Sequence, residues 1–130
     1  MTAQADKHAL EEGADFQPRF DANGLIVCVT IEAATREILM VAYMNQLALD
    51  KTIETGDAHY WSRSRQSLWR KGDTSGQVQK VVSLQVDCDQ DAILLEVEPG
   101  GDGKACHTGR KSCFYRKLER GPGRRLVFVQ

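Results

Sequence analysis

Three of the four cysteines of this chain lie between Asp87 and Cys113, with aspartates at the alternate positions 87, 89 and 91. The stretch opens Asp-Cys-Asp-Gln-Asp at 87–91 and closes Cys-His-Thr-Gly-Arg-Lys-Ser-Cys at 106–113. Cys88, Cys106 and Cys113 are too widely spaced for the paired C-x-x-C of a structural zinc ribbon. A catalytic zinc site takes three protein ligands and leaves one position for water, and three thiolates fit that rule. Buried thiols without a metal are the plain alternative. Asp87, Asp89 and Asp91 alternate with Cys88, so in an extended chain the carboxylates share one side and the thiol takes the other. Carboxylates placed so closely repel one another unless a cation lies among them. Hard oxygen donors select magnesium or calcium, and thiolates select zinc. The residue types thus suggest two metal sites on opposite sides of one strand end, against the bland reading of a solvated acidic turn. An EF-hand is excluded, because Ala92 stands where its loop requires glycine.

His107 directly follows Cys106 and becomes a candidate general acid or base there. His59 falls in an expected strand and reads as structural, and His8 lies near the N-terminus. A second polar stretch, 63–76, interleaves Arg63, Arg65, Arg70 and Lys71 with tryptophan, serine and glycine. Arg63 and Arg65 offer forked donors for phosphate, and Lys71 a point charge. Thr74 and Ser75 add hydroxyl and backbone donors. The G-x-x-x-x-G-K-[ST] order of a P-loop is absent.

Elements must position these groups. Leu25–Ile31 reads as a strand after the Asp-Ala-Asn-Gly turn at 21–24, with Cys28 a core residue. The apolar run 37–44 suits a central strand buried on both faces. Asn45 can cap a helix over 46–55 that ends at Gly56, with Leu49 and Ile53 facing the sheet. Further strands are expected over 58–62, 77–88, 92–98, 114–118 and 126–129. In the long one, Val78, Val82, Leu84 and Val86 share a face opposite Gln79, Ser83 and Gln85. Residues 63–76 and 99–103 read as loops. Residues 1–14 read as a loose tail before a single domain at 15–130. The expected class is a strand-dominated α+β domain with one main helix.

Composition agrees. The 130 residues, 42% hydrophobic and 27% charged, can bury a core without disulfides. A net charge of −1 gives no general grip on nucleic acid. No apolar run reaches the length of a membrane span. The first residues lack the apolar centre of a signal peptide, so a cytoplasmic location is expected, where four cysteines serve as thiols or metal ligands.

Several motifs together carry a family resemblance. They are Leu39-Met-Val-Ala-Tyr-Met-Asn45, Tyr60-Trp-Ser-Arg-Ser-Arg65, Leu68-Trp-Arg-Lys-Gly72, Thr74-Ser-Gly76, Asp87-Cys-Asp-Gln-Asp91, and Ala105-Cys-His-Thr-Gly109 through Ser112-Cys-Phe-Tyr115. In that order, over residues 16–118, the chain resembles the phosphoribosyl-AMP cyclohydrolases of histidine biosynthesis. The resemblance implies a cytoplasmic, intertwined homodimer with zinc and magnesium. Cys88 of one subunit and Cys106 and Cys113 of its partner would hold zinc; Asp87, Asp89 and Asp91 would hold magnesium. The substrate would be AMP carrying a second phosphoribosyl group on N1, which leaves C6 electron-poor. Zinc would acidify a water for attack at C6, and His107 would move protons. Gln77 stands where histidine is often found, the segment after Leu118 matches nothing, and no fused pyrophosphohydrolase domain is present. A nucleobase deaminase is excluded, because its H-x-E and P-C-x-x-C signature is absent. A non-catalytic zinc-stabilised binding module stays open, and would need Cys28 or His107 as a fourth ligand.

Overall fold

Branched apolar residues make Ile26–Glu32 the strand β1, which lies inside a four-stranded sheet. The computed structural model describes residues 3–129. α1 covers Ala3–Glu12, β2 Ile38–Met44, α2 Gln46–Thr55, β3 His59–Ser62 and β4 Ser67–Arg70. β5 covers Gln79–Val86, β6 Ala92–Pro99, β7 Arg116–Leu118 and β8 Leu126–Phe128. The main sheet runs β2-β1-β6-β5, with β1 and β6 parallel and the other pairs antiparallel. β3–β4 and β7–β8 form separate two-stranded sheets. The strand-dominated α+β expectation is met.

One sheet face builds the core. Ile26, Cys28 and Thr30 of β1 lie beside Ile93, Leu95 and Val97 of β6, all buried. The last three are the inner face expected from alternation. Ala48 and Leu49 of α2 close over them with Tyr60 of β3. The opposite face, bearing Val29, Val41 and Leu94, is only partly covered.

α2 is bounded as expected. The Asn45 side chain accepts from Ala48 N at 2.9 Å, and Gly56, at φ 75, ends the helix. Ile53, however, is 55% exposed and does not face the sheet. Thr52 takes the inner position instead. Its hydroxyl donates to Ala48 O at 2.8 Å and accepts from His59 N at 2.9 Å, which pins the helix to β3. The buried stripe is therefore centred near Thr52, and Ile53 turns outward.

Four other expectations need correction. β2 is an edge strand, with Ile38 and Val41 exposed. An apolar run tells nothing of position in the sheet, and this strand's outer side is met by the 112–113 segment. Residues 63–76 are not all loop: Ser67–Arg70 returns along β3 as a hairpin, with Gln66 at φ 50 in its turn. β5 carries a bulge between Val81 and Ser83, so Val82 is exposed and Gln79 is buried, breaking the expected alternation. The expected loose tail contains α1, built mostly from good helix formers. Gln90 Nε2 anchors its end, donating to Leu10 O at 2.9 Å and Asp15 O at 3.2 Å.

Candidate active site

After β6 the chain doubles back in a narrow loop. Ala105 N donates to Lys111 O and Cys106 N to Arg110 O, each across 3.0 Å. Gly109 N closes the turn onto Cys106 O at 3.0 Å, with Gly109 at φ 88, a left-handed conformation that suits glycine. Cys106 is held at the base of this turn, and His107 is exposed beyond it. Thr108 Oγ1 donates to Cys106 Sγ at 3.0 Å. Cys113 is tied to β2 by its amide, which donates to Leu39 O at 2.7 Å.

The Cys106 and Cys113 thiols are close enough to shift each other's ionisation. Burial opposes ionisation of Cys106, but hydrogen bonds from Thr108 and Cys113 outweigh it and hold the thiol below its ordinary range. Cys113 is pushed up to about 11, first by desolvation of its sulfur and then by Cys106. Of the two, Cys106 is the easier to ionise, and ionisation of Cys113 is opposed by burial and by Cys106 unless a cation lies beside them. That is the donor chemistry of a soft divalent metal such as zinc. Cys28 differs: it is fully buried in the core and pushed up to about 12 by burial.

A cleft of about 520 Å³ borders the turn, lined by Arg65, Lys71, Thr74, Ser75, Cys106 and His107 among others. Gly72, at φ 91, lets this loop press against the start of β5, because a Cβ there would lie 2.2 Å from Val78 N. Lys71 is half-buried, and its Nζ donates to Ala105 O at 2.6 Å. Arg70 is engaged by Asp57 at 3.0 Å and Asp73 at 2.9 Å. Arg65 is exposed, makes no ion pair among the described residues, and touches only the Ser62 hydroxyl, at 3.4 Å from Nε. Its fork is open to a ligand. Arg63 lies outside this cleft. It stacks 4.0 Å over the Tyr43 ring in an adjoining groove of about 530 Å³. Arg65 and Trp69 line both spaces.

The three aspartates converge, though not as an extended strand. Gln90 N donates to Asp87 O at 3.1 Å, with Gln90 at φ 57, so 87–90 is a turn. Asp87 Oδ1 accepts from Asp91 N at 3.0 Å and Ala92 N at 3.1 Å. Carboxylate oxygens of Asp87, Asp89 and Asp91 nevertheless lie within 4.8 Å of one another. Asp91 is pushed up to about 6 by hydrogen bonding to Asp89 and then Asp87, while Asp89 is lowered by the same contact. A cluster whose mutual repulsion raises one of its own carboxyls offers the oxygen donors a hard cation takes.

Cys88 belongs to this acidic turn, not to the Cys106 turn. Gln77, just before β5, borders the cleft with Cys106, whereas Asp87 and Cys88 directly follow the other end of β5. Eight strand residues at about 3.3 Å each separate the two ends by roughly 25 Å. Among the described residues of one chain, the three candidate zinc cysteines are not brought together.

A family model for phosphoribosyl-AMP cyclohydrolase matches residues 40–115, from β2 through the Cys113 segment. The chain belongs to the phosphoribosyl-AMP cyclohydrolase family. It is 62% identical over 123 residues to the phosphoribosyl-AMP cyclohydrolase of Chelativorans sp. (strain BNC1), covering 95% of this chain and 88% of that one. The protein of the same name from Bradyrhizobium diazoefficiens is 60% identical over 126 residues, covering 96% and 89%. That from Brucella canis is 59% identical over 120 residues, covering 92% and 86%. A cyclohydrolase is a hydrolase, and the reading of this chain as an enzyme stands with its family.

The sequence did not single out Asp102 and Lys104, which line the cleft. The 99–103 stretch read only as a glycine-rich loop. Its signal was Asp102-Gly-Lys104 placed directly before Ala105-Cys106. Gln77 joins them, since its Oε1 accepts from Lys104 N at 3.0 Å.

Proposed function

We propose that this chain hydrolyses the N1–C6 bond of N1-(5-phosphoribosyl)-AMP, giving a formimino aminoimidazole carboxamide ribonucleotide. On this reading the step belongs to histidine biosynthesis and to the cytoplasm. The observation that carries it is one cleft shared by Cys106, His107, the open fork of Arg65 and the hydroxyls of Thr74 and Ser75.

The protein's own groups divide the work. Arg65 takes a phosphate in its fork, with Thr74 and Ser75 donating beside it. The adjoining groove lets the ligand extend past Trp69 toward Arg63, which suits a molecule with phosphates at both ends. His107, exposed beside Cys106, carries a proton to or from the opening ring. Cys106 and Cys113 would hold zinc, with Cys88 of a second copy. Bound there, zinc supplies the Lewis acidity that makes hydroxide available near neutral pH. Asp87, Asp89 and Asp91 would hold magnesium.

Two features support a shared site. β5 keeps Cys88 roughly 25 Å from the Cys106 end within one chain. The sheet face bearing Val29, Val41 and Leu94 is left for a second copy to cover. The non-catalytic binding module loses one of its fourth ligands, because Cys28 is sealed in the core.

The test is turnover of N1-phosphoribosyl-AMP, followed by the ultraviolet change on ring opening, with and without a zinc chelator. The expected result is chelator-sensitive turnover that disappears in Cys106→Ala. Absence of turnover by folded, zinc-loaded protein overturns the reading.

A further inference from the structure

The C-terminal hairpin β7–β8 lies beyond the region matched by the family model. It reaches the candidate site through one side chain. Arg110 lays its guanidinium 4.2 Å over the Tyr115 ring and 5.2 Å over the Phe128 ring. These rings stack on each other, 6.1 Å apart and 12° from parallel. Val129 N donates to Tyr115 O at 2.9 Å, which keeps the end of β8 beside Tyr115. The carbonyl of Arg110 in turn accepts from Cys106 N at 3.0 Å. Arg110 is therefore tied at both ends, its backbone to Cys106 and its guanidinium to two rings.

Burial does not explain why the hairpin sits there. Leu118, Leu126 and Phe128 remain 58%, 52% and 64% exposed. A two-stranded hairpin is marginal by itself in water. Apart from pairing with each other, neither strand packs extensively on a strand or helix. The planar cation between hairpin and turn is a link of the kind Arg makes and Lys makes less well.

We propose that β7–β8 is a positioning element for the Cys106 turn, with Tyr115 and Phe128 acting through Arg110 to keep Cys106 placed for a metal. The proposal rests on Cys106 being a zinc ligand. Side chains that orient a metal ligand from outside change metal affinity without touching the metal.

The test is titration of zinc-free protein with zinc alone, in competition with a chromophoric chelator. Wild type is compared with Phe128→Leu, Arg110→Met and Arg110→Lys at concentrations where sedimentation gives all four the same assembly state. Phe128→Leu and Arg110→Met should each weaken zinc binding by about tenfold or more. Their zinc-free melting temperatures should stay close to wild type, and Arg110→Lys should recover part of the loss. Wild-type affinity in Phe128→Leu and Arg110→Met overturns the positioning role alone. If Phe128→Leu fails to fold, Arg110→Met decides. Failure of the wild type itself to bind zinc overturns the zinc reading and this role together.

Discussion

Lys71 Nζ donates to the carbonyl oxygen of Ala105 across 2.6 Å, one residue before Cys106. Burial lowers the pKa of this amine, and the Cys113 and Cys106 thiols oppose that lowering. Its sequence position suggests a phosphate ligand, whereas its bond to Ala105 O favours a brace for the Cys106 turn, and kinetics can tell the two apart. Lys71→Met should therefore reduce kcat more than it raises KM. Hydrogen bonds to charged groups contribute about 1.5–3 kcal/mol, so kcat/KM should fall roughly 10- to 100-fold. Steady-state kinetics would restore the phosphate role if KM alone rose.

The cysteines should separate cleanly. Cys106→Ala and Cys113→Ala should abolish turnover while leaving a folded protein. Cys28→Ala should keep turnover and lose about 1–2 kcal/mol of stability by opening a small core cavity. Activity and urea unfolding of the three variants, side by side, check this. Loss of turnover in a folded Cys28→Ala would put the core thiol back into the chemistry.

A site shared between copies predicts complementation. Neither Cys88→Ala nor Cys106→Ala should be active alone. Mixed and allowed to exchange, half of the pairs are hybrids, and each hybrid keeps one intact site of two. The mixture should recover roughly a quarter of wild-type activity. No recovery, with subunit exchange demonstrated, would place all three thiols in one chain.

The buried hydroxyl of Tyr60 donates to Gln79 Oε1 at 2.6 Å and meets Thr30 Oγ1 at 2.7 Å. Gln79 Nε2 continues to Met40 Sδ at 3.3 Å. Tyr60→Phe would leave the Gln79 oxygen unpaired in the core, at a cost of about 1–3 kcal/mol. Denaturant unfolding should show this loss. A neutral result would mean that Gln79 finds another donor.

Glu96 gives the stability a pH dependence. Ser83 Oγ and Gln85 Nε2 donate to one oxygen at 2.7 and 2.6 Å, and Arg36 to the other at 2.6 Å. Led by the Ser83 bond, these contacts hold the carboxyl below its ordinary value of 4.5. The stabilisation is complete above that value and is lost as pH falls through the lower, folded one. Melting temperature should therefore decline below about pH 4.5 more steeply in wild type than in Glu96→Gln. Parallel declines would remove Glu96 from the account.

Much of this arrangement could be read from local chemistry. Asn45 and Gly56 bound α2 because capping is a local property. Ile93, Leu95 and Val97 point inward because strand alternation is local too. What depends on neighbours was not legible. The run 38–44 gives no sign that β2 is an edge, and nothing near Val82 announces a bulge. The carboxylates were expected to converge along a strand, and they do so through a turn that Gln90 makes. The distance from Cys88 to the Cys106 turn is a matter of where β5 begins and ends, which no motif encodes.

The bond from the Cys113 amide to Leu39 O, with Ser112 Oγ donating to Ile38 O at 2.7 Å, has a consequence for how such a chain can vary. Cys113 takes its position from the register of β2 on β1. Insertions or deletions in the 33–37 turn leave that register alone and should be tolerated. One residue gained or lost within Ile38–Met44 would shift the Leu39 carbonyl by a strand step and turn it to the other side. Length variation should therefore be far rarer inside this strand than in the turn before it.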